Sequence, residues 1–256
     1  MILTAENYYS VEAGKEYFSA SQIKQFMSCQ ARALAEIRGE YVRPTSSALL
    51  IGSYVDAYFE GPESFEAFCR EHPEIFNSRT GNLKADYVKA NKMIERAEQD
   101  PVFMEYTRGE TQRIFTGNIF GFPFKAKFDF YLPGVRIADM KTAKDFGAVY
   151  VEGEGGLSFA EAYRYPLQMA IYRELEGNNL PCYLDCISKE DVPDIGVFEV
   201  PHEMMDAEMK ILEANLPLYD AIKQGIVEPE RCGKCDYCRM SKKLAEPVSL
   251  YEIAEL

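Results

Sequence analysis

The 256-residue sequence has no tryptophan, only two histidines and no apolar run of the roughly 18 residues that a membrane span requires. Its first residues lack the basic and apolar segments of a secretion signal, so we expect a cytoplasmic protein with no membrane partner. Because His72 and His202 lie outside any catalytic motif, we do not expect a nucleophile activated by histidine. A G-x-x-x-x-G-K-[ST] phosphate loop is also missing, which argues against ATP hydrolysis.

Positive charge is scarce, since 28 lysines and arginines stand against 41 aspartates and glutamates, for a formal charge of −13. This balance argues against a nucleic-acid binder with a broad basic surface. It does not exclude a protein that binds phosphates, because metal ions and a few local lysines can supply positive charge beside a phosphate. The composition, 47% hydrophobic and 27% charged, is otherwise that of a packed globular protein.

Helical patterns at both ends of the chain enclose a segment rich in aromatic and β-branched residues. From Glu110, with turn signals at 121–123 and 133–134, this segment predicts a three-stranded meander, and further strands are predicted at CYLDCISKE and GVFEV. Helices are predicted over residues 19–39, 47–61, 84–100, 158–177, where Pro166 kinks the helix or starts a new one, and 203–224.

These elements predict an α/β (α+β) fold with a central mixed β-sheet flanked by helices. We expect one domain over residues 1–256. Its parts are an N-terminal helical part (1–105), a core sheet (106–200), and a C-terminal helix with a cysteine-rich end (201–256).

The strand IADMKTAKDF carries Asp139 and Lys141, whose side chains face the same way because they are two residues apart on a strand. If residues 132–136 form the preceding turn, Asp129 lies directly opposite Asp139. Two facing carboxylates repel unless a cation or a shared proton compensates them, and hard oxygen ligands suit Mg²⁺ or Mn²⁺. The alternative is a simple ion pair between Asp139 and Lys141 on the sheet surface.

Two further motifs accompany this hairpin. A G-x-x-x-D run spans Gly52 to Asp56 on an upstream helix, and a Q-x-x-x-Y run spans Gln168 to Tyr172 on a downstream helix. Together with the D-x-K strand, these motifs resemble the PD-(D/E)xK nuclease superfamily, in particular its RecB-type exonucleases. The resemblance covers residues 19–240 and implies a restriction-endonuclease-like core. The family usually has histidine where this chain has Asp56.

The resemblance also implies the roles of these residues. Asp129 and Asp139 would bind the catalytic metal ions, the Met140 carbonyl would add a ligand, and Lys141 would assist the attacking water. Asp56 could ligate Mg²⁺ through oxygen. Gln168 and Tyr172 would hold DNA or brace the site, or they simply form a helix face with one buried tyrosine. Glu110 is a further acidic candidate, although a solvated strand end explains it better.

Seven cysteines without a secretion signal indicate metal chemistry or small buried side chains rather than disulfides. Cys232, Cys235 and Cys238 form a C-x-x-C-x-x-C run of the kind used by iron–sulfur proteins. The resemblance to cluster-bearing RecB-type nucleases supplies Cys29 as the fourth ligand. A 4Fe-4S cluster is our first choice, zinc the second, and free thiols the third. Outside this group, the remaining cysteines are expected to pack as small apolar side chains: Cys69, Cys182 and Cys186.

The sequence therefore predicts a Mg²⁺- or Mn²⁺-dependent DNA exonuclease. Its size and ending resemble phage recombination exonucleases of the RecE kind, which implies recombination or repair, a single-strand annealing partner and possible assembly into homo-oligomers. DNA would be reached through nearby lysines: Lys125, Lys127, Lys141 and Lys144. The alternatives are a non-catalytic DNA-binding adaptor that keeps the fold and the cysteine group, and a redox or zinc protein.

Overall fold

The computed structural model describes residues 1–244 and 246. The chain begins with helices and one 3₁₀ turn (Pro73–Ile75): α1 (Val11–Glu16), α2 (Ala20–Ser28), α3 (Gln30–Arg38), α4 (Ser47–Glu60), α5 (Pro62–Glu71), α6 (Ala85–Glu98) and α7 (Pro101–Tyr106). The sheet segment and the C-terminal helices follow: β1 (Glu110–Ile119), β2 (Phe122–Leu132), β3 (Arg136–Ala143), β4 (Val149–Val151), β5 (Gly155–Leu157), α8 (Phe159–Ala162), α9 (Tyr165–Glu176), β6 (Cys182–Ser188), β7 (Ile195–Glu199), α10 (His202–Lys223) and α11 (Asp236–Met240).

The central sheet has five strands in the order β1-β2-β3-β6-β7. The first three form the expected antiparallel meander, β6 runs parallel to β3, and β7 is antiparallel to β6. A parallel neighbour requires a crossover, and here the small β4–β5 hairpin, α8 and α9 make that connection. The predicted mixed sheet flanked by helices is therefore confirmed.

The sheet is covered on both faces, and each face has its own apolar core. Residues 137, 182, 184 and 186 pack with α2, α3, α9 and α10 on one face. Residues 138, 140 and 187 pack with α4, α6 and α7 on the other. Asp139 and Lys141 alternate with Met140 along β3, so they lie on the α9 face and Met140 lies on the α4 face.

The single helix predicted over residues 19–39 is wrong, because the structure has two helices that meet at Cys29. This residue is extended, with φ −165° and ψ 108°. Its N–H still caps α2 on the Gln25 carbonyl, and its own carbonyl accepts the Ala33 N–H that opens α3. Breaking the helix here turns the Cys29 side chain toward the C-terminal end of the chain, where its sulfur meets Cys238.

The segment 158–177 is likewise two helices, which was one of the two expectations for Pro166. α8 ends before Arg164, a non-glycine residue with φ of +50°, and Pro166 sits in the first turn of α9, where its missing N–H costs nothing. Within residues 1–244 and 246, no helix is both long enough and apolar enough to cross a bilayer.

Candidate active site

Strands β2 and β3, which carry Asp129 and Asp139, stop pairing with each other at the site. Pairing between β2 and β3 runs only from Leu132–Arg136 to Phe130–Ala138, so the next pair in this register is Asp129 with Asp139, as expected from the turn. Asp129 instead uses its side chain, and its Oδ2 accepts the backbone N–H of Met140 at 3.0 Å. A side-chain oxygen thus takes the place of a ladder carbonyl, and a cleft opens where the strands diverge.

Asp129 is held from the other side by β1. Gln112 Nε2 donates to Asp129 Oδ1 at 3.3 Å, and Gln112 has a φ of +54°, a conformation that is rare for a residue with a side chain. Phe128 and Phe130 lie in different apolar cores although they are two residues apart, so β2 breaks its regular alternation at Asp129. This local distortion directs the carboxylate into the cleft.

Asp139 is almost fully buried, and Lys141 on the same strand is bonded to it. The Lys141 ammonium donates to Asp139 Oδ2 and, at 3.0 Å, to the carbonyl of Met140. It also lies 5.3 Å from the centre of the Tyr165 ring. The Met140 carbonyl therefore does face the site, while the Met140 side chain is buried on the opposite face.

The Q-x-x-x-Y run braces Asp139 from α9. Gln168 Nε2 donates to Asp139 Oδ1 at 2.8 Å and to the Tyr172 hydroxyl at 2.9 Å. The Tyr172 hydroxyl in turn donates to the carbonyl of Lys127 on β2 at 3.0 Å. One turn of helix thereby ties β3 to β2 across the cleft, which is more than the helix face with one buried tyrosine that we considered as the alternative.

Asp56 reaches the same cleft from α4. This helix lies close to β3 because Gly52 has no side chain, and a Cβ at that position would stand 3.1 Å from Thr142 Oγ1. The glycine of the G-x-x-x-D run is therefore the point of close approach, and the aspartate one turn later faces the site. The helix and the two strands bring Asp56, Asp129 and Asp139 to one cleft.

The pKa values of the groups in the cleft are shifted because several carboxylates are buried close to one another. Burial raises the pKa of Asp56 to about 7, and the charge of Asp139 adds to this, while Lys141 opposes it. Burial and Asp139 hold the pKa of Asp129 well above its usual value. Burial alone would lower the pKa of Lys141, but Asp139 and Asp129 outweigh it and raise the pKa. Lys24, which donates to Gln168 Oε1 at 3.3 Å, has a pKa lowered to about 7 by burial and by Lys141.

The cleft has a volume of about 880 Å³ and extends beyond the acidic residues. Lys127 lines it, as expected for a lysine that meets DNA. Lys125 also lines it, but its side chain is buried and donates to the Tyr8 carbonyl, so it is not free to bind a phosphate. Lys144 is exposed outside the cleft, and Glu110 pairs with Arg113 away from it, in agreement with a solvated strand end.

Two features, one in the cleft wall and one on the other face of the sheet, are not apparent from the sequence patterns. Tyr8 and Tyr9, from the segment before α1, form part of the cleft wall. Asp185 on β6 is fully buried on the sheet face opposite Asp139, and within the described residues neither of its carboxylate oxygens has a hydrogen-bond partner. Burial raises the pKa of Asp185 to about 8, with a further contribution from Asp139. A lone aspartate within the apolar strand CYLDCIS was the available signal.

The four cysteines that were predicted to bind one metal group, Cys29, Cys232, Cys235 and Cys238, lie close together. Cys29 Sγ lies 3.5 Å from Cys238 Sγ and 3.8 Å from Cys235 Sγ, and Cys232 Sγ lies 3.9 Å from Cys238 Sγ. In the described part of the chain, no other group of three or more histidine, cysteine or acidic side chains has its donor atoms all within 4.8 Å. Burial raises the pKa of Cys232, but N–H groups of Cys235 and Lys234 outweigh it and lower the pKa to about 6. This group can hold a metal.

The other cysteines and the histidines lie elsewhere. Cys182 and Cys186 are fully buried in the core on the α9 face, and Cys69 packs against the core on the α4 face, as expected for small apolar side chains. His72 contacts Glu74, and His202 contacts Arg173. Neither histidine lines the cleft.

The fold and the cleft agree with comparisons to known proteins. A family described as "PDDEXK-like domain of unknown function (DUF3799)" matches residues 19–241, so the chain belongs to that family and has a PD-(D/E)xK nuclease fold. The crystal structure of a protein named "Putative exonuclease", from Eubacterium rectale, superimposes with a TM-score of 0.94 at 38% identity and covers 98% of both chains.

The other comparisons add little. The structure of SSO0001 aligns over 74% of this chain and 84% of that chain at 14% identity, with a TM-score of 0.32, which is too low to support any conclusion. No curated protein matches the chain.

Proposed function

We propose that this protein is a Mg²⁺- or Mn²⁺-dependent exonuclease that hydrolyses phosphodiester bonds of DNA, with residues 1–256 acting as one nuclease domain. The observation that carries the proposal is the bonded set around Asp139, in which Lys141 and Gln168 hold a buried carboxylate at a cleft that Asp129 and Asp56 also line. The name of the Eubacterium rectale protein supports the exonuclease assignment. Recombination or repair, an annealing-protein partner and oligomer formation remain predictions from the sequence.

The donor set fits a hard divalent cation. Carboxylate and carbonyl oxygens are the ligands Mg²⁺ prefers, and burial together with mutual repulsion disfavours the charged forms of Asp56 and Asp129. A bound divalent cation would instead favour the charged forms of these two aspartates. We assign Asp129, Asp139, Asp56 and the Met140 carbonyl as the residues that would hold it. The oxygen atoms of the three aspartates do not all lie within 4.8 Å of one another, so the carboxylates would have to close around the ion. When bound, the ion supplies Lewis acidity that activates water and offsets charge on the leaving oxygen.

The protein's own groups position the substrate and stabilise charge. The Lys141 ammonium, kept charged by Asp139, is placed to stabilise negative charge on the phosphate and to orient the attacking water. Gln168 fixes the orientation of the Asp139 carboxylate, and Tyr172 fixes Gln168. Half-buried Lys24 donates to the Gln168 side-chain oxygen and helps to fix the amide that holds Asp139.

The test is the digestion of end-labelled linear DNA with Mg²⁺ or Mn²⁺ by the wild-type protein and by Asp139→Asn and Lys141→Met variants. We expect metal-dependent release of nucleotides from ends and no digestion of closed circular DNA. Both variants should lose about 100- to 1000-fold in rate, since Asp139→Asn weakens the proposed metal site and Lys141→Met removes a cation beside the reacting phosphate. Exposed Lys144, three residues beyond Lys141, gives the matched control Lys144→Met, which should digest DNA at the wild-type rate.

The outcomes separate the two candidate functions. An inert wild-type protein that still binds DNA would favour the non-catalytic adaptor. Equal digestion by wild type and Asp139→Asn would mean that the cleft is not the active site.

For the cysteine group we propose a single tetrahedral Zn²⁺. Four thiolates at about 2.3 Å from one zinc lie about 3.8 Å from each other. The separations of 3.5, 3.8 and 3.9 Å match this value. A 4Fe-4S cluster, in which each thiolate binds a different iron atom, needs wider spacing. The spacing thus favours zinc, our second choice from the sequence, over the cluster.

Metal analysis of protein purified without oxygen distinguishes zinc from a 4Fe-4S cluster. We expect about one zinc per chain, no inorganic sulfide and no brown colour. Iron with stoichiometric sulfide and visible absorption would contradict the zinc assignment, and its loss in Cys238→Ser would place the cluster at the same cysteines.

A further inference from the structure

Tyr9 is an exposed aromatic ring at the wall of the cleft. Its side chain is 77% exposed, whereas the other tyrosines that line the cleft, Tyr8 and Tyr172, are buried. The ring stands beside the cleft that we propose as the active site. Apolar surface of this kind is available to a ligand that can cover it.

The ring is held in place by its neighbours. Tyr8 packs edge-on against Tyr9 with ring centres 4.9 Å apart, and the Lys125 ammonium lies 4.5 Å from the centre of the Tyr8 ring and donates to the Tyr8 carbonyl. Directly after Tyr9, Ser10 caps α1 by accepting the Ala13 N–H at 3.1 Å. The segment is thus fixed on both sides of Tyr9, and little conformational freedom is lost when the ring is covered.

Lys127 links this ring to the reacting groups. Its ammonium lies 5.0 Å from the centre of the Tyr9 ring, and its carbonyl accepts the Tyr172 hydroxyl at 3.0 Å. Tyr172 is one hydrogen bond from Gln168, which holds Asp139. The ring and a lysine cation therefore stand together at the wall of the cleft, a few side chains from the metal-binding carboxylates.

We propose that Tyr9 is a stacking platform for an unpaired nucleobase at the end of the DNA strand that enters the cleft, with Lys127 beside it for the adjoining phosphate. The inference rests on the proposed nuclease function and deepens it. An aromatic face next to a cation is the combination by which proteins hold single strands without reading their sequence. A base inside a duplex has both faces covered, so the platform accepts only a base at a strand end or in a single strand.

The experiment compares Tyr9→Ala, Tyr9→Phe and the control Tyr150→Ala. Tyr150 is 80% exposed on β4 and does not line the cleft. Binding of a labelled single-stranded oligonucleotide is measured in the Asp139→Asn background, and KM and kcat in the active enzyme. Stacking one base on a protein ring is worth about 5- to 100-fold in affinity. We expect Tyr9→Ala to raise Kd and KM in that range with little change in kcat, and Tyr9→Phe and Tyr150→Ala to match the wild type.

A second substrate series distinguishes stacking from a structural effect. Each oligonucleotide of this series carries a single abasic nucleotide, placed at a different distance from the end. At one of these positions the missing base should weaken binding to the wild type and leave binding to Tyr9→Ala unchanged. The inference is overturned if Tyr9→Ala binds and digests like the wild type, or if its defect is the same at every abasic position. Wild-type protein that neither binds nor digests DNA would overturn the proposed function and this inference together, whereas an active enzyme indifferent to Tyr9 would overturn only the inference.

Discussion

Replacing Asp185 by asparagine should stabilise the protein in a pH-dependent way. The carboxyl group is fully buried on β6 without hydrogen-bond partners for either oxygen in the described structure, so its charged form is strongly disfavoured. Burial, followed by the charge of Asp139, raises its pKa from the usual 3.8 to about 8, against a smaller opposing effect of Arg136. Asparagine has nearly the same shape and does not ionise.

The sign follows from linkage between protonation and folding. A carboxyl group with a raised folded-state pKa costs nothing at a pH where it is protonated in both the folded and the unfolded state, and it destabilises the fold increasingly as pH rises from the unfolded to the folded pKa. At about 1.4 kcal/mol per pKa unit, the wild-type penalty grows from near zero at pH 4 to about 4 kcal/mol at pH 7. The stability of Asp185→Asn relative to the wild type should therefore rise by up to about that amount between pH 4 and pH 7.

The assay is urea unfolding followed by circular dichroism between pH 5 and 8, with Asp185→Asn compared with the wild type. Groups that titrate in both proteins cancel in the difference, which should widen with pH. The exposed Asp86→Asn on α6 controls for the loss of one negative charge. A difference that stays constant over this range would show that Asp185 is not a buried ionisable group with a raised pKa.

Three further predictions concern the site and its supports. Gln168→Leu removes the hydrogen bond that orients the Asp139 carboxylate, so kcat should fall by about tenfold or more, and because a hydrogen bond to a charged group contributes about 1.5–3 kcal/mol to stability, the melting temperature should fall as well. Gly52→Ala places a methyl group 3.1 Å from Thr142 Oγ1 and should destabilise the fold by about 1–3 kcal/mol in denaturant melts, unless the helix can shift without cost. Cys238→Ser should lower the melting temperature of the protein to that of wild type treated with a chelator, because the metal site is lost. Cys69→Ser, which lies outside the cysteine group, should still show a drop in melting temperature when chelator is added.

The structure of the sheet could be predicted from local patterns. Alternating aromatic and β-branched residues with two turn signals predicted the meander, and the turn length predicted the register that sets Asp129 against Asp139. The helix at the G-x-x-x-D run, found at Ser47–Glu60, was predicted from its capping serines and terminal glycine. These signals are local, because they depend on the spacing of residues within one element.

Features that depend on contacts between distant segments could not be predicted. The break at Cys29 lies within a helical pattern, and it coincides with contacts to a distant segment, among them Cys29 with Cys238, 209 residues away, and the Ala31 N–H with the Glu230 carbonyl. The burial of Lys125 depends on the Tyr8 carbonyl, since a lysine on a strand is usually solvated. The burial of Asp185 without a hydrogen-bond partner among the described residues could not be predicted, because the sequence does not indicate which elements cover a single aspartate.

The sequence by itself determined the residue types of the site and their order: the D-x-K strand, the Q-x-x-x-Y helix and the C-x-x-C-x-x-C run are sets of neighbours whose geometry follows from the repeat of a strand, a helix or a tight turn. Only the tertiary structure decided which of these sets share one space. It brought Asp56 to the strand aspartates through the close approach at Gly52, and it placed Tyr9 beside Lys127. Such meetings depend on how whole elements pack, and no local repeat encodes that.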